Sequence, residues 1–254
     1  MKKSKWSAFF LPLFCGFLAA LPLLLPEIPL LSFLLFFPFF CRLFSMSDKR
    51  LSAYYTQGLL FFQGYLMAAF SFFIAMYPME FAGLSPIAAI SVIFAASILL
   101  PLFQGCFLAF GTLLFGWLHK KNCLGRPLLP SLTAAAVITL SFYCQNFTWA
   151  GVPWAAPALG IASLPSFLGS ASLFGSGFLT FLILFVNSLL AEAFLSYRAC
   201  RDKASLLAVC MAAVLFISNL LCGVVCLKVT ESKNTETITV ALLQSDASVK
   251  TLPR

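Results

Sequence analysis

The stretch LSPIAAISVIFAASILLPLFQGCFLAFGTLLFGW, residues 84–117, decides how this chain is folded. It carries no charge and is longer than the ~20 apolar residues that cross a bilayer core, yet short for two crossings. One tilted helix, with Pro101 as the natural place for a kink, satisfies the flanking charges. Two helices would carry His119, Lys120 and Lys121 to the opposite side from the remaining basic clusters.

Six other apolar spans surround it, at about 7–25, 28–44, 56–77, 129–147, 174–197 and 205–227. With 84–117 as a single span, twelve basic residues fall on one side of the membrane. These are Lys2, Lys3, Lys5, Arg42, Lys49, Arg50, Lys120, Lys121, Arg126, Arg198, Arg201 and Lys203. The opposite loops, around 26–27, 78–83 and 148–173, contain no Lys or Arg. The positive-inside rule makes the basic side cytoplasmic. The N-terminus is then cytoplasmic, and after seven crossings the residues from Lys228 onward are extracytoplasmic. Met1-Lys2-Lys3-Ser4-Lys5 resembles the start of a secretory signal, but Leu21-Pro22-Leu23-Leu24-Leu25-Pro26 is no cleavage site, so an uncleaved first helix is expected.

Composition agrees. Hydrophobic residues make up 61% of the chain and charged residues 9%, against about 25% charged in soluble domains. The mean hydropathy is +1.00. The net charge of +8 follows from the cytoplasmic loops, so no nucleic-acid partner is implied. The fold expected is an all-α polytopic membrane bundle of about seven helices over residues 1–227.

Few side chains in this bundle can do chemistry. Intramembrane ionisable groups usually mark transport or proton relay; Glu192 is the clear one, and it reads as a carboxylate reaching the cytoplasmic interface near Arg198. His119 is the single histidine and reads as a solvated loop residue. With that one histidine on the cytoplasmic side, no Ser-His-Asp triad or Cys-His pair is expected on the outer face, and no His-rich metal site anywhere. The nine cysteines show no pairing pattern. Cys222 and Cys226, one helical turn apart, read as small packing residues rather than a metal or redox pair. No metal or cofactor is expected.

Two segments remain distinctive. The loop between spans five and six contains Trp149, Gly151, Pro153 and Trp154 and is apolar and uncharged up to Gly177. Such a loop belongs in the membrane interface or lining a cavity. After the last span, Ile238-Thr239-Val240-Ala241-Leu242-Leu243-Gln244-Ser245-Asp246 reads as a β-strand, and a lone strand has nothing to pair with.

Together these parts resemble the bacterial apolipoprotein N-acyltransferase family. Gly151-Val152-Pro153-Trp154 is similar to the family's Gly-Phe-Pro-Trp loop. Leu243-Gln244-Ser245-Asp246 is similar to the end of the first strand after its membrane domain. Gly58, Gly64, Phe61, Phe62 and Phe73 are similar to a Phe/Gly-rich helix. The chain departs from the family at Phe142-Tyr143-Cys144-Gln145-Asn146, where a Glu and an Arg are usual, and at Ser245, where a Gly is usual.

The resemblance implies an enzyme of the bacterial inner membrane. It would move an acyl chain from phospholipid to the amino group of a lipoprotein's diacylglyceryl-cysteine, through a cysteine thioester. It also implies a nitrilase-like extracytoplasmic α/β domain, of which residues 228–254 would be the incomplete beginning. The family's Glu-Lys-Cys triad would lie beyond Arg254, so no catalytic residue is assigned and the chain alone is expected to be inactive, with a separate catalytic half as a candidate partner. Trp149, Gly151, Pro153 and Trp154 are the expected substrate-binding residues. The alternative is a small multispan transporter or scaffold subunit whose tail is a genuine end.

Overall fold

The computed structural model describes residues 5–46, 50–79, 82–121, 123–147, 151 and 153–233, and among these it contains helices and no strand. The strand expected at 238–246 and the loop residue Trp149 lie outside the described residues.

The deciding stretch is continuous helix from Pro86 to Lys120. Helix α5 (Pro86–Phe94) starts with Pro86 at its first position and with the Ser85 hydroxyl accepting from the Ala88 amide at 3.4 Å. A π turn over Ala95–Leu99 joins it to α6 (Leu100–Lys120). Pro101, with no N–H and a ring that crowds the preceding turn, is accommodated by this widened segment on its N-terminal side.

The other apolar spans divide into two kinds. Helix α4 (Leu51–Ala69, extended to Met76 by a 3-10 turn), α9 (Ser176–Arg198) and α10 (Asp202–Lys233) are long and apolar enough to cross a membrane, as is 86–120. Shorter pieces make up the rest. Helix α1 (Lys5–Ala19) breaks before the single-turn α2 (Leu21–Leu24). The second span is a 3-10 turn at Pro29–Phe33 followed by α3 (Phe37–Phe44). Helix α7 (Leu129–Gln145) has the expected place. Continuous helices over 7–25 and 28–44 are therefore corrected: Pro22, Pro26, Pro29 and Pro38 remove backbone donors in close succession. Helix α10 runs past Leu227 to Lys233.

Breaking a helix inside an apolar bundle frees backbone groups that lipid cannot satisfy. Asn187 of α9 supplies them. Its Nδ2 donates to the Ser32 carbonyl at 2.9 Å and its Oδ1 accepts from the Phe36 amide at 3.0 Å. Nδ2 also donates to the Ile183 carbonyl at 2.9 Å within α9.

Helix α4 packs between α1 and α6 at backbone range. A Cβ on Gly64 would overlap the Leu13 carbonyl, one on Gly16 the Phe61 carbonyl, and one on Gly58 the Thr112 side chain. Small residues allow such approaches in membrane bundles, where packing and interhelical hydrogen bonds replace hydrophobic drive. Thr112 adds one such bond, donating to the Tyr54 carbonyl at 3.0 Å. Around this seam the phenylalanines form the core: Phe36, Phe39, Phe40, Phe61 and Phe62 are buried, and Phe39 stacks on Phe61 with centroids 4.0 Å apart.

Two further seams use polar side chains. Between α7 and α9, the Ser188 hydroxyl donates to the Ser131 carbonyl at 3.1 Å, and the Ser131 hydroxyl lies 2.9 Å from the Ser188 carbonyl. Helix α10 docks on a short helix, α8 (Gly169–Phe174), and on the turn before it. Asn219 donates to the Phe167 carbonyl at 3.1 Å and accepts from Ser170 at 2.6 Å.

Candidate functional site at one end of the bundle

The loop after α7 folds as three consecutive 3-10 turns, Pro153–Ala155, Pro157–Ile161 and Pro165–Phe167. Each begins with a proline, whose fixed φ suits a turn and whose missing N–H goes unused there. The turns form a plug. Ala155, Ala158 and Ile161 are buried, Tyr65 of α4 donates to the Ala155 carbonyl at 2.8 Å, and Ser163 donates to the Pro26 carbonyl at 2.9 Å.

The expected binding residues separate in space. Gly151 folds against the end of α7, where a Cβ would overlap the Gln145 carbonyl. Trp154 projects outward, 52% exposed, and its ring meets Phe70, Phe72 and Phe73 with centroids 6.4, 5.5 and 6.1 Å away. Phe73 was singled out in the sequence; Phe70 and Phe72 were not, although the Phe-rich run 70–73 was there to be seen. Beside this cluster Ile74 and Tyr77 face Ile90, Ile93, Phe94, Ser97 and Ile98 across an open furrow of about 350 Å³. The furrow runs along the π turn, and apart from the Ser97 and Tyr77 hydroxyls its lining residues are hydrocarbon. Pro153 and Ala155 instead line a more enclosed cavity of about 360 Å³ between α7 and the start of α9.

The place of His119 is corrected, and Glu192 finds its partners on α7 rather than at Arg198. Its Oε1 accepts from the Leu128 amide at 2.7 Å and its Oε2 from the Ser131 hydroxyl at 2.5 Å, so it caps the N-terminus of α7 from a neighbouring helix. Arg198 lies over the Phe194 ring, 5.7 Å from its centroid. His119 belongs to the last turn of α6 rather than a loop, with Nδ1 3.4 Å from the Tyr54 hydroxyl and its ring against Phe115.

The cysteines are all free thiols, and Cys226 packs 3.9 Å from the Gly169 carbonyl and the Ser172 hydroxyl. Among the described residues, no group of three or more His, Cys, Asp or Glu side chains is placed to hold a metal ion. What the described residues provide at this end is apolar surface, an aromatic platform and a mainly apolar cavity with a few polar groups in its wall.

No curated protein matches the chain. The profile of the apolipoprotein N-acyltransferase N-terminal domain matches residues 15–189, which include the end of α1, α2 to α8, the 3-10 plug and more than half of α9. Matching more than half of the chain, across the bundle and its plug together, it shows that this membrane protein belongs to the apolipoprotein N-acyltransferase family.

Proposed function

We propose that this chain is the membrane half of an acyltransferase that moves an acyl chain from phospholipid to the amino-terminal diacylglyceryl-cysteine of a lipoprotein. The observation that carries this reading, beside family membership, is the Trp154–Phe70–Phe72–Phe73 platform next to the apolar furrow. Both substrates of such a reaction bring alkyl chains out of the bilayer, and a furrow walled by Ile, Phe and Tyr lets a chain leave lipid without meeting water.

The chemistry implied by the family begins when a cysteine thiolate attacks the phospholipid ester carbonyl. A thioester forms and lysophospholipid leaves. The α-amine of the lipoprotein then attacks the thioester, forming an amide and releasing the thiol. A base and a cation must flank such a thiol. In this proposal the chain contributes the lipid-facing half: it sits in the bacterial cytoplasmic membrane with its basic loops inside, and Trp154, Pro153 and Gly151 lie where lipid meets a catalytic domain outside, with Trp149 as a further substrate-binding residue.

The test joins residues 1–233 to the nitrilase-like domain of an active family member. N-acylation of a diacylglyceryl-cysteine peptide in proteoliposomes is then measured. Acyl transfer by the chimera supports the proposal. A chimera that inserts and folds but transfers nothing, while the same catalytic domain works on its own membrane half, rejects it.

A further inference from the structure

The cavity between α7 and α9 is more enclosed than the furrow, and a helix N-terminus opens into it. Gly175, Ser176 and Gly177, the N-terminus of α9, line it, and no side chain caps that helix. Gly175 has φ +82, and nothing lies within 4 Å of where a Cβ would stand on Gly175 or Gly177, so a ligand can approach the backbone closely. The first-turn amides of a 23-residue helix point outward with the positive end of its dipole behind them.

A second observation is independent of the helix end. Thr180 also lines the cavity; it is 3% exposed, and its hydroxyl has no hydrogen-bond partner among the described residues. Across from it, the Thr139 hydroxyl of α7 is buried and likewise unpartnered. Buried hydroxyls left unmade are costly, and more so in an apolar bundle. The buried, unmade Thr139 hydroxyl and the Thr180 side chain in the same wall, beside an open helix N-terminus, point to an oxygen-rich acceptor that belongs there.

We propose that this cavity binds the phosphate of a phospholipid headgroup, held by the first-turn amides of α9 and by the Thr180 and Thr139 hydroxyls. The lining contains no Lys, Arg or His, so recognition rests on neutral donors and the helix dipole, a combination suited to a singly charged phosphodiester. The volume, about 360 Å³, is at the small end of ligand cavities, enough for a headgroup but not for two acyl chains. Those chains have an exposed apolar rim to follow, formed by Tyr143, Phe147 and Phe174. That rim favours a lipid over free phosphate. Resting on the acyltransferase reading, the assignment also sorts its two substrates, because the phospholipid carries a phosphate and the diacylglyceryl-cysteine does not.

The experiment titrates the delipidated 254-residue chain in detergent with dioleoyl-phosphatidylglycerol and counts bound lipid by native mass spectrometry. Thr180→Val and Thr139→Val should each weaken retention about fivefold, the worth of one hydrogen bond, and Thr180→Ser should bind like the parent. Dioleoylglycerol, which lacks phosphate, should not compete. Equal retention by both valine variants overturns the proposal, as does competition by dioleoylglycerol equal to that of phosphatidylglycerol. Inorganic phosphate displacing the lipid at equal concentration would make this a free-anion site and overturn the lipid assignment. Thermal melts of each variant separate lost binding from lost fold, with Thr139→Val as the second arm if Thr180→Val unfolds. Retention is read without acyl transfer, so failure of the acyltransferase reading and failure of this site are distinguishable.

Discussion

Asn187, midway along α9, donates a hydrogen bond of 2.9 Å to the carbonyl of Ser32, inside the turn where the second apolar segment leaves regular helix. A side chain on one helix thereby stands in for the missing helical bonds of another. Asn187→Leu should cost about 2 kcal/mol, because it strands a buried carbonyl and amide together. Thermal unfolding in detergent, followed by far-UV circular dichroism, measures the loss; a melt within a degree of the parent would mean that the break is satisfied in some other way.

Backbone contact between α1 and α4 makes a second prediction. A methyl group at Gly64 meets the Leu13 carbonyl, and one at Gly125 meets nothing within 4 Å. Gly64→Ala should destabilise by about 2 kcal/mol through overpacking, and Gly125→Ala should be close to neutral. Equal melts for the two variants would contradict the packing described for this seam.

Capping of α7 by Glu192 separates shape from charge. Glu192→Leu leaves the Leu128 amide without its acceptor, while the Ser131 hydroxyl keeps the Ser188 carbonyl, at a cost of about 1–3 kcal/mol. Glu192→Gln keeps one acceptor oxygen and should lose less than half of that. If both variants lost activity in the chimera with melts unchanged, Glu192 would have a role beyond the cap.

Trp154 is half exposed and packs edge-on against Phe70 and Phe72 and tilted against Phe73, so its removal should trouble the fold little. Under the proposed function, Trp154→Ala in the chimera should lower kcat/KM for phospholipid about tenfold, with a melt near that of the parent. Unchanged transfer would reduce this ring to an interfacial anchor.

Sidedness can be read from two exposed thiols. Cys123 follows α6 and Cys200 follows α9, both beside basic clusters assigned to the cytoplasm. In variants retaining one of these cysteines, a membrane-impermeant maleimide should label inside-out vesicles and leave intact spheroplasts unlabelled. The reverse pattern would invert the topology.

How legible these features were in the sequence depended on how far apart their causes lay. Helix 86–120 could be read directly, because its length and its flanking His119, Lys120 and Lys121 are local. The breaks between 19 and 37 could not, since isolated prolines are also compatible with a kinked helix, and the compensating Asn187 stands about 150 residues away. Glu192 was visible as an unusual carboxylate, but its partners Leu128 and Ser131 belong to another helix. At the candidate site, Trp154 and Pro153 announced themselves by type. Thr139 and Thr180 did not, being ordinary residues whose unmet hydroxyls exist only once α7 and α9 face each other.

The π turn at 95–99 amounts to one surplus residue in the helical count. Deleting a single residue there would restore regular geometry, and it would also swing α5 by about 100° around its axis and draw it in by about 1.5 Å. Ala89, fully buried, would rotate off its contact, and Ile90, Ile93 and Phe94 would leave the furrow wall. The lipid-facing groove therefore depends on chain arithmetic as much as on side-chain identity: substitutions along it should be tolerated where a one-residue deletion is not.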